Sequence, residues 1–339
     1  MDVAELDYDL PQAAIAQEAI EPRDAARLLV IRTMEDRRFH ELDGLLAPGD
    51  VLVVNRTRVR AARLAAVKDT GGSVELLVLR RVDEGRWEAM LRPARRVRVG
   101  TRMQAGPICA EVLSAPASGV ATIALDAGGT DLEAAIAEFG SYPLPPYFHG
   151  HLRDPERYQT MFAEVVGSAA APTAGLHFTA PLVDRLAARG VAIASVELEV
   201  GLDTFRPMTG EHVAEHTIHR ERYVMPPEAV AAIGRARLAG GRVVAVGTTV
   251  VRVLETAVDA DCLPRAGGGE TDLFITPGWT FRTVDAVITN FHAPRTTLVA
   301  MVAAMVGPGW RSVYATALER GYRFLSFGDA MLIELAERS

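Results

Sequence analysis

GGRVVAVGTTVVRVLETAV, Gly240 to Val258, reads as one strand, one loop and one helix. The strand, Arg242–Val246, carries an unbroken apolar run with no polar alternation, the pattern of a strand covered on both faces. Gly247-Thr248-Thr249 interrupts it with small and hydroxyl residues. Val250–Val258 then resumes with apolar residues at helical spacing. A strand passing through a short loop into a helix is half of a parallel βαβ unit.

The same plan repeats on either side. Upstream, a helix over Pro181–Arg189 leads to a strand over Val191–Val200, and a second helix covers Pro227–Ala239. Downstream, the strand Val284–Thr289 runs into NFHAPRTT and a helix over Leu298–Val306; a last helix, Arg311–Arg320, precedes YRFLSFGDAMLIEL. Near the start, Val51–Val54 is another buried strand, with Asn55-Arg56-Thr57-Arg58 at its carboxyl end, where ligand crevices lie in open α/β sheets. The alternation argues a largely parallel sheet or a distorted barrel.

Residues 63–125 break the plan. Short strand-like runs recur at Arg63–Val67, Val74–Arg81, Arg86–Leu91, Arg96–Val99, Ile108–Leu113 and Val120–Leu125, punctuated by glycine turns. Such spacing without long helices indicates a small sandwich or barrel inserted in an α/β chain. A helix over Asp131–Phe139 follows. The expected division is 1–62 and 149–339 for the main α/β domain and 63–148 for the insert.

At 339 residues the chain is long enough for two domains, and 49% hydrophobic with 23% charged residues is the balance of a soluble protein. No window approaches the ~20 apolar residues of a membrane span. The acidic start MDVAELDYDLPQ lacks a signal pattern. Two cysteines, Cys109 and Cys262, provide neither a disulfide framework nor a four-thiolate zinc site. A cytoplasmic monomer is the expectation. The net charge is −7, yet Arg56 to Arg102 holds thirteen Lys or Arg against five acids. That excess suits a phosphate backbone, or else a solvated arginine-rich surface.

RYQTMFAEVVGSAAAPTAGLHFT, Arg157 to Thr179, begins as a short helix with Met161, Phe162, Val165 and Val166 at helical spacing. It then becomes so poor in bulk that backbone can approach a strand or a flat ligand. Ser168, Thr173, His177 and Thr179 are placed at its bend. Four strand-to-loop junctions share this character: Gly175–Thr179, Gly201–Arg206, Gly247–Thr249 and Asn290–Thr297. Helix N-termini at such junctions bind anions, although Gly247-Thr248-Thr249 lacks the lysine of a P-loop and equally suits a capped helix. His177 and His292 each sit beside a phenylalanine, as structural histidines or as acid–base groups near neutrality. Arg206 and Arg295 can grip a carboxylate or pair with a neighbouring helix. His216 and His219 would share a helical face, with Glu221 close by; zinc, acid–base chemistry and plain hydrogen bonding all remain open. Asp329, in SFGD, is a loop carboxylate or a helix cap.

YDLP, IAQ, EPRDAARLLV, PGDVLVVN-TRV, RYQTMFA, GSAAAPTAGLHFT, VGLDTFRP, H-IH-E, AVGTTVVR-LE, TDLFITPG, TNFHAPRTTL and YRFLSFGDAMLI occur in that order from about residue 6 to 334. Together they resemble the S-adenosylmethionine:tRNA ribosyltransferase-isomerase family of queuosine biosynthesis. The resemblance implies a barrel-like α/β main domain with an inserted small all-β barrel. It also implies a reaction in which S-adenosylmethionine is consumed. Its ribosyl part moves to 7-aminomethyl-7-deazaguanine at the tRNA wobble position and rearranges to an epoxycyclopentanediol, with loss of adenine and methionine. No metal or redox cofactor is implied. Forming an ylide at C5′ needs a base, and adenine leaves more easily when protonated. On the resemblance, His177, His219 and Glu221 are the catalytic candidates. Thr173, Arg206, Thr248, Thr249, Asn290, Arg295 and Asp329 would bind S-adenosylmethionine, Arg206 or Arg295 through the methionine carboxylate and the threonine pair through ribose or adenine. Arg58, Arg92, Arg95 and Arg96 would bind tRNA.

Arg56 stands where the family has aspartate, Arg60-Ala61 where it has Ile-Pro, Glu199 for a frequent histidine and Val250 for a frequent serine. The reversed charge at Arg56 leaves two alternatives: a paralogue with another nucleobase acceptor, or a non-catalytic RNA-binding relative.

Overall fold

The computed structural model describes residues 1–117, 119–149, 152, 154–201, 207–218, 220–259 and 262–335. The chain divides into two compact units. One comprises Met1–Arg58, Pro146–Val165 and Ala171–Ser339, the other Val59–Pro145 with Val166–Ala170. The sequence expectation places the insert at 63–148, whereas the smaller compact unit takes in Val59–Pro145 and the short return Val166–Ala170.

The larger unit is built on a nine-stranded mixed sheet. Its order is Gly267–Thr271, Glu221–Met225, Ala192–Leu198, Val51–Asn55, Val243–Val246, Ala286–Asn290, Ala330–Glu334, Arg27–Val30 and Glu35–Arg38. The four central strands from Ala192–Leu198 to Ala286–Asn290 are parallel, in registers Ala194↔Val53, Val244↔Leu52 and Val246↔Ile288. Ala330–Glu334 then runs antiparallel to Ala286–Asn290, pairing Asn290 with Ala330. Every residue of Val51–Asn55, Val243–Val246 and Ala286–Asn290 is buried, which is why these segments read as continuous apolar runs. One face of the sheet, through Leu52, Val54, Val244, Val246 and Ile288, packs on Phe39, Leu42, Phe178, Leu182 and Leu186. Helices Pro227–Leu238 and Thr248–Thr256 also pack on these central strands.

One stretch among the described residues, Thr297–Glu319, is long and apolar enough to cross a membrane, contrary to the sequence reading. It is divided by the turn Gly307–Gly309 into helices Thr297–Val306 and Trp310–Glu319. Val299, Ala300, Val302 and Ala317 are fully buried, as core helices of this composition are.

The smaller unit is a closed antiparallel barrel in the order Val120–Asp126, Arg86–Arg92, Ser73–Asp83, Arg63–Lys68, Arg102–Ala105 and Ile108–Val112. Along Val120–Asp126, Ala121, Ile123 and Leu125 point inward in strict alternation. Asp131 caps the helix Leu132–Phe139 by accepting from Ala134 N at 3.1 Å.

Several local expectations are corrected. Arg96–Val99 is not a strand: Ala94–Arg96 forms a 3-10 turn after Pro93, and Arg102–Ala105 takes the place in the barrel. Met161–Val166 is not a helix. Val165–Ser168 is extended, in keeping with its paired β-branched residues and a segment too short to nucleate a helix. His216 is not in a helix either: the 3-10 turn Val213–Glu215 ends just before it, and His219, its expected companion, lies outside the described residues.

Candidate functional site

The carboxyl edge of the parallel strands carries the junctions singled out in the sequence. Val243–Val246 ends in Gly247, whose φ of +92° excludes an ordinary side chain, and Thr248 begins the helix Thr248–Thr256. Ala286–Asn290 ends in the Phe291–Thr296 loop, and Thr296 caps the following helix through Val299 N at 3.4 Å. The 3-10 turn Thr173–His177 packs against that strand. Gly175 in this turn is required by close approach, since a Cβ there would meet Thr160 Cγ2 at 2.9 Å.

Two small adjoining cavities, of about 20 Å³ and about 10 Å³, lie among these loops. Both are lined by Thr173, His292 and Leu298. The first adds Gly247, Thr248, Thr249 and Thr289; the second adds Tyr147, Asn290, Thr296 and Ser326. A third cavity, of about 10 Å³, shares Ser326 and is lined by Arg23, Arg157 and His177.

A chain of buried polar contacts joins these walls. Thr173 Oγ1 donates to Asn290 Oδ1 at 2.9 Å, and Asn290 Nδ2 faces His177 Nε2 at 3.1 Å. His177 also hydrogen-bonds the Arg23 backbone, and burial lowers its pKa to about 4 against the opposing pull of Asp329. His292 Nε2 lies 2.9 Å from Thr289 Oγ1, and burial lowers its pKa to about 3. Both imidazoles are therefore neutral at neutral pH. Around His292, Tyr8 Oη donates to its carbonyl oxygen and His292 N donates to Tyr314 Oη at 3.2 Å. Tyr147, raised to about 12 by burial, bonds Ser326 Oγ at 2.5 Å.

Of the residues expected to bind S-adenosylmethionine, Thr173, Thr248, Thr249 and Asn290 come together at these cavities. Thr249 is 7% exposed, and its hydroxyl has no hydrogen-bond partner among the described residues. Arg295 is elsewhere engaged. Its guanidinium is exposed and pairs with Asp7, through Nε at 2.7 Å and through Nη2. Asp329 stands before a strand rather than at a helix start. It accepts from Arg27 N at 2.9 Å and Arg323 N at 2.8 Å, tying two chain segments at the sheet edge. Arg206 and His219 lie outside the described residues.

Glu221 lines none of the three cavities. It is buried, ion-paired with Arg252, and accepts from Gly201 N at 2.7 Å. Arg252 completes its contacts with Leu273 O and Thr271 O at 3.1 and 3.2 Å. Ser168 and Thr179 are likewise engaged away from the cavities, with Ala170 O at 2.7 Å and Asp24 at 2.6 Å. Sequence reasoning noted His292 without placing it among the catalytic candidates, and it missed Thr289, Tyr147 and Ser326. For His292 the signal was present, a histidine in a small-residue loop after a buried strand.

On the barrel unit, much of the positive excess is paired within the fold: Arg80 with Glu88 at 2.8 Å, Arg102 with Glu111 at 3.0 Å, Arg60 with Glu133 at 2.9 Å, and Arg86 with Asp83. Arg92, Arg95, Arg96 and Arg98 are exposed and have no carboxylate partner among the described residues. In the larger unit Arg58 pairs with Glu156 at 2.5 Å. The unusual Arg56 is met by Glu197 at 2.7 Å and Glu164 at 3.8 Å, so its charge is balanced locally.

The model of the family described as queuosine biosynthesis protein matches residues 3–333. The S-adenosylmethionine:tRNA ribosyltransferase-isomerase of Symbiobacterium thermophilum is 48% identical over 341 residues, covering 98% of this chain and 100% of that protein. Its counterpart in Moorella thermoacetica is 48% identical with the same coverage. The crystal structure of S-adenosylmethionine tRNA ribosyltransferase from Thermotoga maritima aligns with a TM-score of 0.55 at 38% identity. It covers 97% of this chain and 99% of that one.

Proposed function

This chain belongs to the family of queuosine biosynthesis proteins, and from that membership we propose that it is an S-adenosylmethionine:tRNA ribosyltransferase-isomerase. The enzyme moves the ribosyl part of S-adenosylmethionine onto 7-aminomethyl-7-deazaguanine at the wobble position of tRNA and isomerises it, giving epoxyqueuosine with release of adenine and methionine. The observation that carries this reading is full-length relatedness at 48% identity, with coverage of both chains nearly complete.

S-adenosylmethionine is taken up at the two cavities walled by Thr173, Thr248, Thr249, Asn290 and His292. Proton transfer falls to His292. Its imidazole is unprotonated at neutral pH, Nε2 is held by Thr289, and Nδ1 makes no hydrogen bond among the described residues. His177 acts through Asn290, as a positioning residue. His219 keeps the role the family resemblance assigns to it. Glu221, enclosed with Arg252, holds the backbone N–H of Gly201 rather than exchanging protons with substrate. Arg92, Arg95 and Arg96 contact tRNA phosphates, since uncompensated guanidinium groups are what a polyanion finds. Neither metal nor redox cofactor takes part, and the protein acts in the cytoplasm as a monomer.

The test is incubation with S-adenosylmethionine and tRNA bearing the aminomethyl-deazaguanine, followed by nucleoside digestion and mass measurement. Conversion of that nucleoside to its epoxycyclopentanediol derivative is the expected result. An unchanged nucleoside refutes the assignment.

A further inference from the structure

The threonine-walled cavity presents hydrogen-bond donors with no acceptor to meet them. The helix Thr248–Thr256 begins at its wall with no side-chain cap, because its N-cap is Gly247. In the first turn, Val250 N and Val251 N reach Gly247 O at 3.2 and 3.3 Å. Thr248 N and Thr249 N donate to no acceptor among the described residues. Beside them, the hydroxyl of Thr249 is buried and unpartnered. Thr173 has given its proton to Asn290, so that side of the cavity cannot supply another donor. No arginine, lysine or carboxylate lines the space.

Two backbone N–H groups, one hydroxyl and the positive end of a helix thus belong to two adjacent residues that line this cavity. That combination suits an anionic oxygen pair. S-adenosylmethionine has one anionic group. Its adenine and ribose are neutral, and its sulfonium and ammonium are positive and would be repelled by the helix end. We propose that the methionine carboxylate of S-adenosylmethionine docks on the N-terminus of the Thr248–Thr256 helix, against Thr248 N, Thr249 N and Thr249 Oγ1. The proposal rests on S-adenosylmethionine being the substrate. It replaces an arginine grip on that carboxylate with a helix end, and it leaves ribose and adenine to the Thr173, Asn290 and His292 side.

Thr249→Val removes the hydroxyl and keeps the shape. Because that hydroxyl has no protein partner, its melting temperature should equal or exceed that of the wild type. Titration calorimetry with S-adenosylmethionine and with its decarboxylated form, using the full chain, provides the test. Wild type should bind the decarboxylated compound at least about tenfold more weakly, since hydrogen bonds to a charged group are the strong ones. Thr249→Val should weaken S-adenosylmethionine by about tenfold and leave the decarboxylated compound unchanged, and Thr249→Ser should restore the difference. Thr248→Pro, which removes one N–H at a helix position that accepts proline, should weaken S-adenosylmethionine alone. Equal binding of the two compounds by wild type, or equal weakening of both by Thr249→Val, overturns the carboxylate site and leaves the enzyme assignment standing. Wild type that binds neither compound overturns both.

Discussion

Asn290 Nδ2 stands 3.1 Å from His177 Nε2 while Asn290 Oδ1 takes the proton of Thr173. This contact sets the direction of the whole chain. With His177 neutral and bonded to the Arg23 backbone, Nε2 is the acceptor, which turns the amide so that its oxygen faces Thr173. Thr173 then meets a ligand only through its lone pairs. A substrate group placed there must be a donor, such as a ribose hydroxyl or the adenine amino group.

His177→Gln keeps an acceptor for Asn290, whereas His177→Leu does not. Adenine release should fall by no more than about tenfold in the first and by about a hundredfold in the second, with a rise in KM for S-adenosylmethionine. His292→Gln should lower kcat by about a hundredfold or more while binding changes little, as loss of a proton-transfer group does. The reverse ranking, with His177→Gln inactive and His292→Gln active, would return the catalytic role to His177.

Both buried histidines make stability depend on acid. Their folded pKa values, about 4 and about 3, lie below the ordinary value of 6.5. As pH falls below 6.5, the unfolded chain takes up protons that the folded chain refuses, so stability declines towards pH 4. Each histidine contributes up to about 1.4 kcal/mol per pH unit. Urea melts at pH 7 and pH 5 should show this decline, and His177→Gln should reduce it; a pH-independent difference between variant and wild type would contradict the burial account.

Glu221→Gln tests whether that carboxylate is structural. It leaves Arg252 buried without its charge partner, which costs about 3–5 kcal/mol. The melting temperature should drop sharply. Adding Arg252→Met should recover part of the loss. Full stability in Glu221→Gln with turnover abolished would restore Glu221 as an acid–base group.

The barrel arginines are read by salt. Replacing Arg92, Arg95 and Arg96 together with glutamine should raise KM for tRNA and lower the slope of log affinity against log salt by about two to three. Binding of S-adenosylmethionine alone should be unaffected. An unchanged salt slope would move the tRNA surface elsewhere.

The α/β class and the inserted barrel were legible because burial leaves a direct mark on sequence. Val51–Asn55, Val243–Val246 and Ala286–Asn290 are apolar since they are covered on both faces, and Val120–Asp126 alternates since a barrel strand has an inside and an outside. What sequence could not supply was partnership. Arg295 reads as a free cation until Asp7, 288 residues away, is seen beside it. Glu221 reads as a base until Arg252 closes over it, and Arg56 as a disturbing charge until Glu197 meets it. His292 and His177 line different cavities and meet different partners, Thr289 for one and Asn290 for the other, which is a matter of tertiary placement.

Adenine release from S-adenosylmethionine, measured with and without tRNA carrying 7-aminomethyl-7-deazaguanine, tests the central claim most directly. Release that requires this tRNA is the predicted result. No release in its presence, or equal release in its absence, would contradict the assignment.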